Sequence, residues 1–252
     1  MRPRLKAAVV GDPVSHSRSP RLFRALGVEY DAVRVRAEDF KTDMERLRAK
    51  GYRGVNVTIP HKLAALAFAK RATPEAKAVG AANVLRFDAR GAVAHNTDAS
   101  GFRDALRELG FSPRGKDAVV FGSGGASRAV RHALGKAGAK RVTVWSRRSK
   151  GEPPSAALWV NATPLGMKGF PNKAPFRGSA RCDVAVDLVY GRGTAFLRAA
   201  RRSKARAADG GNMLVYQALR SLEFWTGKKF KPSVRRAMFQ KTSLLLCKEV
   251  KR

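Results

Sequence analysis

Apolar and polar positions over the first hundred residues switch repeatedly between two periods. Residues 5–10 form an apolar run that ends at the turn Gly11-Asp12-Pro13, which predicts a buried first strand. A helix is expected from Ser19-Pro20, with the serine as cap and the proline in the first turn. Residues 28–35 read as a second strand. Over residues 39–50, Phe40, Met44 and Leu47 share one helical face and Gly51 stands where that helix would end. Residues 54–59 are expected as a strand, with Pro60 opening the next helix. Residues 81–87 and 91–95 read as a strand pair joined at Ala89-Arg90. Strands alternating with helices predict a largely parallel α/β sheet.

Near Asn96 the pattern changes. A helix over about 100–109 and a turn over 110–115 lead into an apolar strand at 117–121, a glycine-rich turn, and a further strand at 141–145. From there the chain reads as a nucleotide-binding unit as far as Gly210. The remainder is helical, with apolar groups at Met213, Leu214, Ala218, Leu222 and residues 244–246. The fold class is therefore α/β and two-lobed. Residues 1–98, completed by 212–252, form one lobe, and residues 99–211 form a Rossmann-like second.

Composition narrows the class. Of 252 residues 44% are hydrophobic, enough for a packed core and against global disorder. The cysteines Cys182 and Cys247 show neither a disulfide framework nor metal-ligand spacing. They read as reduced thiols of a cytoplasmic protein. No apolar run approaches the ~20 residues that span a membrane, and residues 5–10 are short for a signal sequence. The charge is abnormal: 51 Lys and Arg against 19 Asp and Glu, a net +32. Such a surface attracts polyanions. The basic residues are nevertheless spread along the whole chain, without zinc-finger spacing or an aromatic RNA-binding signature. A solvated basic surface is thus expected rather than a specific nucleic-acid site.

The stretch Val119-Val120-Phe121-Gly122-Ser123-Gly124-Gly125-Ala126-Ser127 runs from strand through glycine turn to helix. Gly122 and Gly124 allow a tight turn and close approach of backbone to a pyrophosphate, and the helix N-terminus offers unpaired N–H groups. Such a loop alone is also a plain flexible turn, but the flanking strands and helix favour a dinucleotide. At the end of the next strand an acidic residue would serve the ribose 2′-hydroxyl of NAD. The chain instead reads Ser146-Arg147-Arg148. Guanidinium groups suit a 2′-phosphate, so NADP is favoured. In so basic a chain, arginines at a strand end are also an ordinary surface feature.

Three polar stretches precede this loop: Ser15-His16-Ser17-Arg18-Ser19-Pro20, Asn56-Val57-Thr58-Ile59-Pro60-His61-Lys62 and Asn96-Thr97-Asp98. Together with Gly80-Ala81-Ala82-Asn83, the glycine loop, Asn161-Ala162-Thr163-Pro164, Asp187-Leu188-Val189-Tyr190 and Met213-Leu214-Val215-Tyr216-Gln217-Ala218, they resemble the shikimate dehydrogenase family over nearly the whole chain. The resemblance implies NADP-dependent, reversible reduction of 3-dehydroshikimate to shikimate, with Lys62 and Asp98 as the catalytic pair. It implies Ser17, Ser19, Thr58, Asn83, Tyr190 and Gln217 as substrate groups. Gly122, Ser123, Gly124, Gly125, Ala126, Arg147, Arg148, Val189, Gly210 and Met213 become the cofactor groups, with no metal, and the protein a monomer or homodimer. The chemistry suits these residue types. Short hydroxyl and amide side chains satisfy ring hydroxyls and a carboxylate one by one, which discriminates strongly against analogues lacking them. His61 is expected to pack or to face solvent rather than to react.

The chain departs from the family at Val84, Ala99, Ser146, Arg148 and Asn212. The largest departure is a shortening. Residues 149–157 form a Gly/Pro-rich link where the family carries helix, strand and helix. In the doubly wound order 3-2-1-4-5-6 the absent strand is the outer one. The return crossing is roughly 20–25 Å, and nine extended residues reach about 30 Å. Two rivals stand beside the main reading: a quinate/shikimate dehydrogenase using NAD, and a degraded basic scaffold binding nucleic acid.

Overall fold

The computed structural model describes residues 5–178, 181–191 and 193–247, with side chains through residue 242. The apolar side chains expected at 244–246 and the Cys247 thiol lie outside the described residues. By internal compactness the chain divides into two units. One runs to Thr97 and takes up the chain again from Gln217; the other runs from Asp98 to Tyr216.

The first unit contains β1 (Lys6–Gly11), α1 (Ser19–Ala25), β2 (Glu29–Arg34), α2 (Phe40–Ala49), β3 (Gly54–Val57), α3 (Lys62–Phe68), β4 (Arg71–Ala72), α4 (Pro74–Val79), β5 (Val84–Asp88) and β6 (Gly91–His95). Its sheet has the order β2-β1-β3-β5-β6-β4. β1 is parallel to β2 and β3, and β4 to β6, whereas β5 is antiparallel to both β3 and β6. The sheet is therefore mixed rather than largely parallel. The Ala89-Arg90 turn accounts for the β5–β6 pairing: two residues close a hairpin, while a parallel crossover needs about a dozen. Phe40, Met44 and Leu47 of α2 bury against Val55, Val57 and Leu85, as their spacing requires. Trp225 lies so close to Gly54 that a Cβ there would meet the indole at 2.4 Å. Its Nε1 donates to the Leu85 carbonyl at 2.9 Å.

Two helix starts differ from expectation. Arg18, not Ser19, is the cap of α1, and Ser19 is already helical. The Ser19 N–H instead donates to Ser17 Oγ at 3.3 Å, so the upstream serine serves the helix end. α3 begins at Lys62 rather than Pro60, because a turn closed by His61 N–H on the Thr58 carbonyl intervenes.

The second unit holds α5 (Asp98–Glu108), β7 (Asp117–Phe121), α6 (Gly125–Lys136), β8 (Arg141–Trp145), β9 (Ala156–Asn161), β10 (Cys182–Asp187), α7 (Ala195–Arg202) and β11 (Arg206–Ala208). α8 (Gly211–Thr226) begins in this unit and is assigned to the first from Gln217, and α9 (Pro232–Cys247) follows. The sheet is parallel in every described pairing, with order β11-β10-β9-β7-β8. This is the doubly wound order with the outer strand beyond β8 missing. The link after β8 returns to pair β9 with β7, and β8 is left as a half-exposed edge. Phe121, Trp159, Phe176 and Phe196 meet largely edge to face beneath the carboxyl ends of these strands. Among the described residues no helix is long and apolar enough to cross a membrane.

Candidate active site

In the first unit the candidate side chains gather at one end of the sheet. β1 and β3 are parallel neighbours, so their carboxyl ends lie side by side. Thr58 N–H donates to the Val10 carbonyl at 2.9 Å, and Asp12 N–H to the Ile59 carbonyl at 2.9 Å. A Cβ on Gly11 would meet Thr58 Cγ2 at 2.4 Å, so only glycine lets the two loops approach this closely. Ser17 stands on the first loop with Ser19 opening the helix after it, and Thr58 stands on the second with Lys62 opening α3. β5 runs the other way, which brings its amino end to the same place: Val57 N–H donates to the Asn83 carbonyl at 2.8 Å.

Lys62 is half-buried at the start of α3. Its carbonyl accepts from Ala82 N–H at 2.9 Å, fixing the helix start against the Gly80–Asn83 segment. His61, just before it, is buried. Its Nε2 is 2.7 Å from the Val35 carbonyl and its ring packs on Phe40. His61 therefore anchors the loop by packing. Asn83 is buried, and its Oδ1 accepts from Thr97 N–H at 2.7 Å. Asp98 is the next residue in the chain, buried as the first residue of α5.

Gln217 on α8 approaches Asn83, with Asn83 Nδ2 3.4 Å from Gln217 Oε1. Behind these groups lie polar residues to which sequence reasoning gave no role. Asn56 Nδ2 donates to Ser221 Oγ at 2.9 Å, Tyr30 donates to Asn56 Oδ1 at 2.7 Å, and Ser221 Oγ lies 3.2 Å from Thr97 Oγ1. All four are buried. The one signal in the sequence was the four-residue spacing of Gln217 and Ser221, which puts both on one helical face.

The second unit presents the nucleotide features. Gly122 has φ +102°, and a Cβ there would crowd Ala162 and Thr163 at 3.1–3.3 Å. Around Gly124 nothing among the described residues lies within 4 Å of an added Cβ. Gly124 caps α6 without a side-chain hydrogen bond, and the first turn carries no acid. Ser127 Oγ, buried in that turn, meets no hydrogen-bond partner among the described residues. An open glycine surface, an uncapped helix end and an orphaned hydroxyl fit a pyrophosphate. Ser123, Gly125 and Ala126 complete the loop. Arg147 and Arg148 are exposed just beyond β8, where Arg148 N–H bonds Ser146 Oγ.

A second buried network holds the carboxyl ends of β9 and β10. Asp187 accepts from Asn161 Nδ2 at 2.9 Å, Val189 N–H at 3.0 Å and the Thr194 hydroxyl. Asn161 Oδ1 in turn accepts from Thr163 N–H and Oγ1. Burial pushes the Asp187 carboxyl up to about 6, against the pull of its donors. Val189 is buried, and its carbonyl accepts from Gly210 N–H at 3.2 Å. A Cβ on Gly210 would sit 2.3 Å from the Leu188 carbonyl, so the loop and α8's approach require glycine. Met213 is buried in the first turn of α8, and Tyr190 is half-buried after Val189. Asp98, the catalytic candidate, and Tyr190, a substrate candidate, thus fall in the second unit.

Known proteins share this architecture and sequence. Residues 9–85 match the family model of the shikimate dehydrogenase substrate binding domain. A shikimate dehydrogenase (NADP(+)) of Methanothrix thermoacetophila is 37% identical over 87% of this chain and 91% of its own length. One from Brucella abortus is 38% identical over 92% of each. Among solved structures, shikimate 5-dehydrogenase of Thermus thermophilus in complex with NADP(H) and shikimate is 34% identical, with a TM-score of 0.76 over 94% of this chain and 99% of that one. Shikimate dehydrogenase 1 of Peptoclostridium difficile is 27% identical, with a TM-score of 0.86 over 96% and 99%.

Proposed function

This chain belongs to the shikimate dehydrogenase family, and from that premise we propose that it reduces 3-dehydroshikimate to shikimate reversibly, with NADP(H) as cofactor. The observation that carries the reading is the gathering of Ser17, Ser19, Thr58, Lys62, Asn83 and Gln217 at the β1–β3–β5 end of the first sheet. Hydroxyls, amides and one ammonium are the groups that a ring bearing several hydroxyls and a carboxylate needs. Ser17 and Ser19 bind the carboxylate. Thr58, Asn83 and Gln217 bind ring oxygens, and Tyr190 is a further substrate group.

Lys62 and Asp98 carry the proton chemistry. In the reducing direction the carbonyl carbon gains hydride and its oxygen gains a proton from Lys62; in reverse Lys62 takes the proton back. Lys62 is held through its carbonyl to Ala82, and the residue before Asp98 is held through its N–H to Asn83. When bound, the nicotinamide supplies or accepts the hydride. The chain's part is to hold the dinucleotide. Gly122, Ser123, Gly124, Gly125 and Ala126 take the pyrophosphate, Arg147 and Arg148 take the 2′-phosphate, and Val189, Gly210 and Met213 shape the nicotinamide end. The absence of an acid after β8 favours NADP over NAD. A cytoplasmic location belongs to the same proposal, supported by the free thiol of Cys182.

The test is NADPH oxidation on addition of 3-dehydroshikimate. Oxidation that requires both compounds and is much slower with NADH is the expected result. No oxidation with either cofactor would overturn the proposal, and preference for quinate with NAD would move the chain to the rival activity.

A further inference from the structure

Two loops of the second unit adjoin or carry groups proposed for the dinucleotide, and each leaves the sheet at a definite rung. The last backbone bonds are Ala162 N–H to the Phe121 carbonyl and Leu188 N–H to the Asn161 carbonyl, both at 2.9 Å. One residue farther along each loop the tie runs instead to the buried carboxyl group of Asp187. Val189 N–H donates to Asp187 Oδ1 at 3.0 Å, and Asn161 Nδ2 donates to the same oxygen at 2.9 Å. The polarity of Asn161 is set by Thr163, whose N–H donates to Asn161 Oδ1 at 3.1 Å. Nδ2 is therefore the end that faces Asp187, and Thr163 is tied to Asp187 Oδ1 through this amide. The Thr163 methyl packs on the glycine loop, where a Cβ on Gly122 would meet it at 3.1 Å. Val189 in turn holds Gly210 N–H through its carbonyl at 3.2 Å. The other oxygen serves a different element. Asp187 Oδ2 faces the Thr194 hydroxyl, which also accepts from Leu197 N–H at 3.2 Å and so caps α7.

We propose that Asp187 is a positioning residue for cofactor binding and that its two oxygens divide the work: Oδ1 holds Thr163 against the glycine loop and Val189 against Gly210, while Oδ2 steadies the start of α7. The inference rests on the function proposed above. Asp187 touches no ligand in this scheme. The two donors at Oδ1 require an acceptor there, not a charge. An amide in place of the carboxylate turns its oxygen to them and its nitrogen to Thr194 Oγ1, which has a second lone pair to receive it. Asp187→Asn thus keeps both loops in place, whereas Asp187→Ala leaves the Asn161 amide and the Val189 N–H without their acceptor.

Titration calorimetry measures the dissociation constants of NADP(+) and shikimate on wild type, Asp187→Ala, Asp187→Asn and Thr194→Val, with unfolding midpoints taken in denaturant and turnover followed in parallel. Asp187→Ala should weaken NADP(+) on the order of tenfold, and Asp187→Asn by no more than about threefold. Thr194→Val should lower the unfolding midpoint, as the loss of a helix cap does, and leave NADP(+) within about twofold. Apart from Tyr190 the proposed substrate groups stand in the first unit, so shikimate should shift by no more than about threefold in any variant. Unchanged NADP(+) affinity in Asp187→Ala, or equal weakening of both ligands, overturns the proposal. Asp187→Asn or Thr194→Val binding NADP(+) as weakly as Asp187→Ala overturns the division between the two oxygens. Should Asp187→Ala not fold, Asn161→Ala cuts the tie from Oδ1 to Thr163 and is read by the same split. A wild type that binds NADP(+) without oxidising NADPH on addition of 3-dehydroshikimate overturns the proposed activity alone, and one that binds no NADP(+) removes both.

Discussion

The two units each bury a polar network against a sheet, and the two networks are built from different chemistry. In the first, Tyr30, Asn56, Ser221, Thr97, Asn83 and Gln217 are all uncharged near neutral pH and hold one another in fixed polarity. In the second, the hub is a carboxyl group, Asp187, surrounded by donors. The first unit offers side chains that are oriented in advance, which suits a small ring whose hydroxyls differ only in position. At the glycine loop the second unit offers backbone and open space, which suits a pyrophosphate that needs N–H groups and positive potential rather than a fitted pocket. Orientation in the first network should therefore persist across pH, while the stability of the second should depend on it.

The most forceful way to break the comparison is at Lys62. Lys62→Ala should lower turnover at least ~100-fold, the lower end of general acid–base contributions, with the fold retained because the side chain is only half-buried. Since this residue belongs to the first unit, the loss should be the same with NADPH and NADH. Near-normal turnover in steady-state assays would remove Lys62 from the mechanism. Arg147→Ala probes the other side. It should weaken NADPH roughly 10- to 150-fold, the value of a charge-assisted contact of ~1.5–3 kcal/mol, and NADH hardly at all, as read by fluorescence titration. Equal weakening of both cofactors would make Arg147 an ordinary surface residue.

Much of the second unit was legible because its signals are local. The runs at 117–121 and 141–145 are continuous, β-branched and bounded by turn residues, and both strands occupy those residues. The missing outer strand followed from counting: nine residues allow a crossing but not a helix, strand and helix, and β8 is indeed the edge. The first unit was less transparent. The alternation of strands and helices hid the reversed direction of β5, which runs antiparallel to both β3 and β6 and makes the sheet mixed. β4 is two residues long and has no period to detect. Asn56 and Ser221 lie 165 positions apart, so no local pattern could pair them. Asn56 stood inside a recognised signature without a role, because its partners come from β2, from Asn83 and from α8.

Asp187 sharpens the comparison through pH. Its carboxyl is raised in the folded protein from the usual 3.8 to about 6, so the fold binds a proton there more tightly than the unfolded chain does. Stability from this group is fully present below pH ~3.8 and is lost as pH rises through about 6. A shift of roughly two units corresponds to about 3 kcal/mol. The difference in unfolding free energy between wild type and Asp187→Asn should therefore fall by that order between pH 4 and 7, then level off. The corresponding difference for Ser221→Ala should stay flat over the same range, since the groups it meets, the Asn56 amide, the Thr97 hydroxyl and the Gln217 carbonyl, do not ionise. Parallel curves for the two variants, measured by denaturant titration, would erase the distinction between the networks.

The smallest effect concerns the charge that both units share. With 51 basic residues against 19 acidic ones, the surface should draw in every anionic ligand, and salt should screen that attraction. The two ligands differ in how much they have to lose. Shikimate carries one carboxylate, whereas NADP(H) carries a pyrophosphate and a 2′-phosphate. Raising ionic strength from about 0.05 to about 0.2 M should therefore raise the apparent KM for NADPH more than that for 3-dehydroshikimate, both modestly. Polyanions test the same field without a site. Duplex DNA and structured RNA should bind weakly, without sequence preference, and be displaced over the same salt range through counterion release. Competition titrations at the two salt concentrations measure this directly. Tight, sequence-selective binding that survives the higher salt would show that the basic residues form a nucleic-acid site, and would restore the scaffold reading that the spread of Lys and Arg along the chain argues against.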